Sequence, residues 1–187
     1  MACNLTKGRN ISCRDTVAGV KSIFLAQHDE LTSYVAASGS LTDFDLGGSD
    51  DIYKYLLKRG TASVTETVNA NSENGSIFYS PSVNIKLHKL TAADQNELKL
   101  LAAQRLIIFV ELNELNAAGK NVILACGLDN GMELSAGTNS SGAGLGDMNG
   151  YDWTFESQEP SPMQTVADYT TTPLDNSAFT FNSIITS

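Results

Sequence analysis

Two histidines, three cysteines and a handful of paired carboxylates are the residues of this chain best suited to chemistry. Their spacing does not assemble a reaction. His28 and His88 stand far from each other and from Cys3, Cys13 and Cys126, with no CxxC or HxxxH pattern that would gather metal ligands. No GxSxG marks a nucleophile, and both histidines fall at positions that read as exposed, in a hairpin turn and on a strand's polar face. Asp43/Asp45 and Asp50/Asp51 are spaced for acid and base work, yet carboxylates in loops are ordinarily solvated. The Gly-rich stretch GTNSSGAGLGDMNG fails as a dinucleotide fingerprint, because the third glycine counted from Gly142 is replaced by Asp147 and a strand follows. It also fails as a calcium loop, lacking a third oxygen ligand and the terminal Glu. The expectation is a protein that is not an enzyme and holds no metal or cofactor, with three free thiols.

The elements that would position these residues are mostly strands. Val20 to Gln27 and Leu31 to Ala37, rich in β-branched and aromatic residues and split by His28-Asp29-Glu30, predict a first hairpin. From Ile52 to Asn69, Thr, Val and Tyr dominate. After a turn at Asn71 to Gly75, Ile77, Tyr79, Val83, Ile85 and Leu87 share one parity against Ser80, Ser82, Asn84, Lys86 and His88 on the other. Together they predict a long β-hairpin, with Pro81 placing its second strand at an edge or beside a bulge. Thr91 to Gln104 predicts one helix, with Thr91 as N-cap, Asp94 three residues on, and an apolar face through Leu98 and Leu101. Leu106 to Val110, an unbroken apolar run between charges, predicts a central strand buried on both faces and partnered by Asn121 to Cys126. Asp129-Asn130-Gly131 predicts a tight turn before Met132 to Leu134, Gly137 to Gly150 a loop, and Tyr151 to Phe155 an aromatic strand whose Trp153 suits a core or a subunit contact. The fold expected is mainly β, a sandwich or barrel of antiparallel strands with one flanking helix and long hairpins.

Composition narrows the partners. All 12 basic residues and 13 of the acidic ones lie in residues 1–120, whereas residues 121–187 carry 8 acidic residues and no Lys or Arg, a net of −8. An acidic surface repels phosphate, which argues against tight nucleic-acid binding there. The longest apolar run falls far short of the ~18 residues a membrane helix needs, and the first ten residues lack a signal peptide's apolar core, so neither export nor membrane insertion is expected.

The stretch from Asn130 to Ser135 (NGMELS), Gly137-Thr138, Ser141-Gly142, Leu145 to Tyr151 (LGDMNGY) and Trp153 to Glu156 (WTFE), closing with Glu159-Pro160, resembles the tail tube subunits of bacteriophages. So do the head, Cys3 through Thr6 to Arg9 with Cys13-Arg14-Asp15 and Gly19 to Lys21, and the run from Phe78-Tyr79 through Val83 to Leu90, Thr91 to Asp94, Leu98 and Arg105 to Val110. The resemblance covers about residues 1–160. It implies a β domain over 1–160 with an N-terminal arm and a structural role in the virion, made in the bacterial cytoplasm; residues 161–187 depart from the matched part, and their Pro, Thr, Ser and Asn content predicts an extended arm with a final strand at Phe179 to Ile185. In that family, subunits form stacked hexameric rings in which β-hairpins join into one barrel around a channel through which DNA passes without tight binding. Carried over, the two hairpin strands, with Val64, Val68, Ile77, Val83 and Ile85, are the candidates for channel and assembly contacts, and the partners are the chain itself and other tail proteins. The competing expectations are another virion β-protein (tail terminator, head-tail connector or capsid decoration) and a ligand-binding β-sandwich that would expose Tyr151 and Trp153.

Overall fold

The computed structural model describes residues 7–10 and 16–186; Cys3 and Cys13, with the flanking residues of the head motif, lie outside them. In chain order the elements are β1 (Val20–Gln27), β2 (Ser33–Ala37), β3 (Ser40–Asp45), β4 (Ile52–Leu56), β5 (Ala62–Asn71), β6 (Ser76–His88), α1 (Ala92–Leu101), β7 (Leu106–Leu115), β8 (Asn121–Cys126), β9 (Glu133–Ser140), β10 (Gly150–Glu156), β11 (Gln164–Val166), β12 (Phe179–Thr180) and β13 (Ile184–Ile185). Two sheets result. Nine strands form a large mixed sheet with β8, β7, β1 and β4 adjacent in its middle, and four form a smaller antiparallel sheet in the order β5-β6-β10-β9. The fold is thus a mainly β sandwich with one flanking helix, as expected.

The large sheet is apolar on both faces because its central strands alternate between two cores. Leu106, Ile108 and Val110 of β7 join Ile23 and Leu25 of β1 against Val83, Ile85, Tyr151, Trp153 and Phe155 of the small sheet. Ile107 and Phe109 point the other way, packing with Phe24, Phe44, Ile52 and Ile123. Burying each such side chain contributes about 1.5–3 kcal/mol, which is why an unbroken apolar run settles at the centre of a sheet. The second core is closed by residues of the C-terminal arm, Tyr169 and Leu174, both buried. That arm pairs in parallel through β11 and β12 with β3 and through β13 with β4, so the expected final strand at Phe179 to Ile185 is two short pieces on different neighbours.

Several expectations need correction. β1 does not pair with β2; it lies between β4 and β7, while β2 pairs with β3. Side chains of β1 enter both cores, which places it mid-sheet between other buried strands, whereas β2 is largely exposed; His28–Glu30 form a 3-10 turn that carries the chain away. The stretch Ile52 to Asn69 is likewise not one strand. Gly60 takes a φ of +76°, open to glycine at no steric cost, and Thr61 N–H donates to Lys58 O at 3.2 Å. That turn sends β4 to the large sheet and β5 to the small one. β6 is an interior strand despite Pro81. Pro81 lies just past the end of β10, where its carbonyl accepts from Ser157 N–H at 3.2 Å and no return donor is required. The helix stops at Leu101, three residues early, although its start is as expected: Thr91 Oγ1 accepts from Asp94 N–H at 3.1 Å. Tyr151 fastens that start to the sheet, its hydroxyl donating to Thr91 O at 3.1 Å. The expected loop from Gly137 is strand as far as Ser140.

Candidate assembly surface

The four-stranded sheet carries every candidate named for the hairpin. β5 and β6 pair from Ala62↔Ile85 to Asn71↔Ser76, and β10 and β9 continue the ladder through Ile85↔Trp153 and Trp153↔Gly137. Residues of one parity, Val64, Val68, Ile77, Val83 and Ile85, share the inward face. Val83 and Ile85 are fully buried and Val64 packs against the same core, so in the single chain these three are core residues. Glu66 marks where that core ends, its carboxylate accepting from Met163 N–H at 2.6 Å. Beyond it the hairpin overhangs the domain, leaving Val68 59% and Ile77 61% exposed on the face that is buried elsewhere. Of the helix candidates, Leu101 is buried and Leu98 is partly buried against the first core.

The outward face is built from small hydroxyl and amide side chains: Ser63, Thr65 and Thr67 of β5, Ser80, Ser82 and Asn84 of β6, Thr154 of β10. They bind one another, as in Asn69 Nδ2 to Ser80 Oγ at 2.9 Å and Asn84 Nδ2 to Thr154 Oγ1 at 3.0 Å. The basic side chain among them, Lys86, is paired to Asp152 at 3.1 Å. Asn84 also donates to Asp152 at 2.7 Å, and this hydrogen bond, followed by Lys86, holds the Asp152 carboxyl below the usual range. The face is therefore polar with little free positive charge, a surface that offers phosphate few partners.

Both long edges of this sheet, β5 on one side and β9 on the other, lack a strand partner among the described residues. Exposed strand edges present rows of unpaired donors and acceptors that soluble proteins ordinarily block. Neither edge carries a proline, and their outward side chains are mostly Ser, Thr, Asn and Ala.

Other polar clusters in the fold serve its architecture. Glu159, 4% exposed, accepts from the backbone N–H groups of Asp129 and Asn130 at 2.9 and 3.2 Å, while Tyr34 donates to Asp129 Oδ1 at 2.5 Å. Burial, with Asp129 alongside, pushes the Tyr34 hydroxyl up to about 12. His28, read as exposed from its place in the chain, is instead mostly buried; its Nε2 sits 3.2 Å from Asp129 O and its Nδ1 has no hydrogen-bond partner among the described residues. The signal that could have found it is Gly131, whose missing side chain leaves room for the His28 ring about 3 Å from where a Cβ would stand. These contacts lock the 127–131 turn, which passes the chain from the large sheet to the small one. They present no nucleophile activated by a base.

Tyr151 and Trp153 are buried, at 0% and 1% exposure, so the expectation of a binding platform built on their exposed rings is overturned. Among the described residues, no three His, Cys, Asp or Glu side chains converge as a metal set, and no helix is long and apolar enough to cross a membrane. No protein-family profile, no curated protein and no solved structure matches the chain.

Proposed function

We propose that this chain is a ring-forming structural subunit, a tail tube protein of a bacteriophage, whose copies join small sheet to small sheet around a DNA-conducting channel. The observation that carries the reading is the pair of open edges. Strand directions alternate across β5-β6-β10-β9, so β9 of one copy and β5 of the next, related by rotation about a ring axis, meet antiparallel and extend the same ladder. Head-to-tail joining of two different edges closes into a ring, and closure removes both edges at once. Six copies of a four-stranded unit, with strands about 4.8 Å apart and tilted about 40°, give a barrel backbone of roughly 24 Å radius, wide enough for a DNA duplex.

The polar, charge-masked outward face suits the wall of such a channel, past which a polyanion slides. The sequence resemblance described above points the same way, and it is from there that the number six and the place in the virion come. Negative-stain electron microscopy of the purified protein tests the proposal: rings or stacked tubes are expected, with duplex DNA bound weakly at physiological salt. A protein that stays monomeric at high concentration, or that grips duplex DNA, would overturn it.

A further inference from the structure

The loop 141–149 that follows β9 exposes Leu145 completely. Its side chain belongs to neither core. The loop is pre-shaped by Asp147, whose Oδ2 accepts from Ala143 N–H at 2.9 Å and Gly144 N–H at 2.7 Å. Those bonds hold the carboxyl below its ordinary range and leave Oδ1 free.

Past the start of β5, where β6 runs on beyond its pairing with that strand, lies a cleft of about 560 Å³ between β4, the end of β6 and α1. Three exposed apolar side chains, Tyr53, Leu56 and Ile185, line it, together with Lys58, two further lysines and the carboxylates of Asp94 and Glu97. Lys58 is exposed and has no carboxylate partner among the described residues.

We propose that the loop 141–149 of one copy seats in this cleft on the next copy, with Leu145 as the apolar anchor and Asp147 turned to Lys58. The inference rests on the ring reading above and adds the contact that fixes how neighbours align. The register places both partners at one end of the sheet: Ser140 lies opposite Gly150, and Gly150 opposite His88, while β5 begins at the same end, with Ala62 opposite Ile85. When β9 of one copy lies along β5 of another, the loop leaving β9 arrives beside the Leu56 to Gly60 segment that enters β5. A bare strand ladder tolerates slippage where side chains are small and polar. An apolar knob in a pocket, with Lys58 available to Asp147, fixes one register and adds an anchor at that end of the interface.

Two sets of variants test it. Leu145→Ser removes a side chain that touches nothing in the single chain, so its melting temperature should match the wild type, while the concentration needed for ring assembly in sedimentation rises by roughly tenfold or more. Second, in a Cys3→Ser, Cys13→Ser background, pairing Leu145→Cys with Leu56→Cys should give, on oxidation, a ladder of covalent oligomers, whereas either cysteine alone gives at most dimers. Wild-type rings together with undiminished assembly of Leu145→Ser and no ladder would overturn the contact and leave the ring reading standing. A wild type that never assembles overturns both.

Discussion

Lys21 reaches from β1 to the buried carboxylate of Glu111 on β7, Nζ to Oε1 at 2.8 Å, with Glu111 only 1% exposed and Lys21 half in solvent. Ser22 Oγ donates to the other oxygen at 2.5 Å. Removing the cation leaves a buried charge with one hydrogen bond, and the exposure of Lys21 moderates the loss. Lys21→Ala is expected to destabilise by about 1–3 kcal/mol, measured by urea denaturation, with Glu111→Gln milder than Glu111→Ala because the amide still meets Ser22.

The helix is a packing element. Leu101→Ala should cost about 2–4 kcal/mol because the side chain is buried, and Leu98→Ala less because it is only partly so. Chemical denaturation of both variants checks the order; equal costs below about 0.5 kcal/mol, typical of surface positions, would show that the apolar face has been misplaced.

Burial pushes the Cys126 thiol well up, with Glu66 and Glu159 adding to the effect, so almost no thiolate exists near neutral pH. In a Cys3→Ser, Cys13→Ser variant, a thiol reagent at pH 8 should find no reactive sulfur in the folded protein and one after denaturation. Rapid labelling of the native protein would contradict this.

Asp152 links acid stability to the outward face. Its folded pKa lies below the unfolded value, so its contribution is present above the ordinary carboxylate range and is lost as pH falls through the folded pKa. Asp152→Asn should therefore flatten the acid limb of a stability–pH curve below about pH 4, leaving the alkaline limb unchanged. Unfolding followed at closely spaced acid pH values supplies the comparison.

Under the proposed ring, the overhanging tip serves assembly and not folding. Replacing residues 68–77 with a tight turn removes Val68 and Ile77 from the projecting face without touching the core below Glu66. The shortened protein should melt as the wild type does yet fail to form tubes in the electron microscope; normal tubes would remove the tip from the assembly surface.

Periodicity and capping were enough to read the elements from the sequence wherever local chemistry decides them. The buried β7 run, its β8 partner, the Thr91 cap and the alternation of β6 are all properties of neighbouring residues. Pairing was legible only where a short turn imposes it. β1 and β2 look like a hairpin because nothing local records that both faces of β1 need cover from β4, β7 and the second core. The split at Gly60 was hidden because Arg59-Gly60 interrupts an otherwise strand-like run by two residues. Within the candidate surface, the hairpin was visible, whereas the open β9 edge and Leu145 were not, since a Gly- and Ser-rich stretch carries no periodicity from which strand or exposure can be read.

The parallel pairings of β11, β12 and β13 tie residues near 165, 180 and 185 to partners in the forties and fifties. Contacts of such sequence separation form late, because a long loop must close before they gain anything. A nascent chain synthesised only as far as β10 already contains both edge strands of the small sheet but still lacks Tyr169 and Leu174 over the second core. During translation the protein thus passes through a stage in which its open strand edges exist before its interior is sealed. The order of synthesis makes that interval the one in which a chaperone would have most to protect.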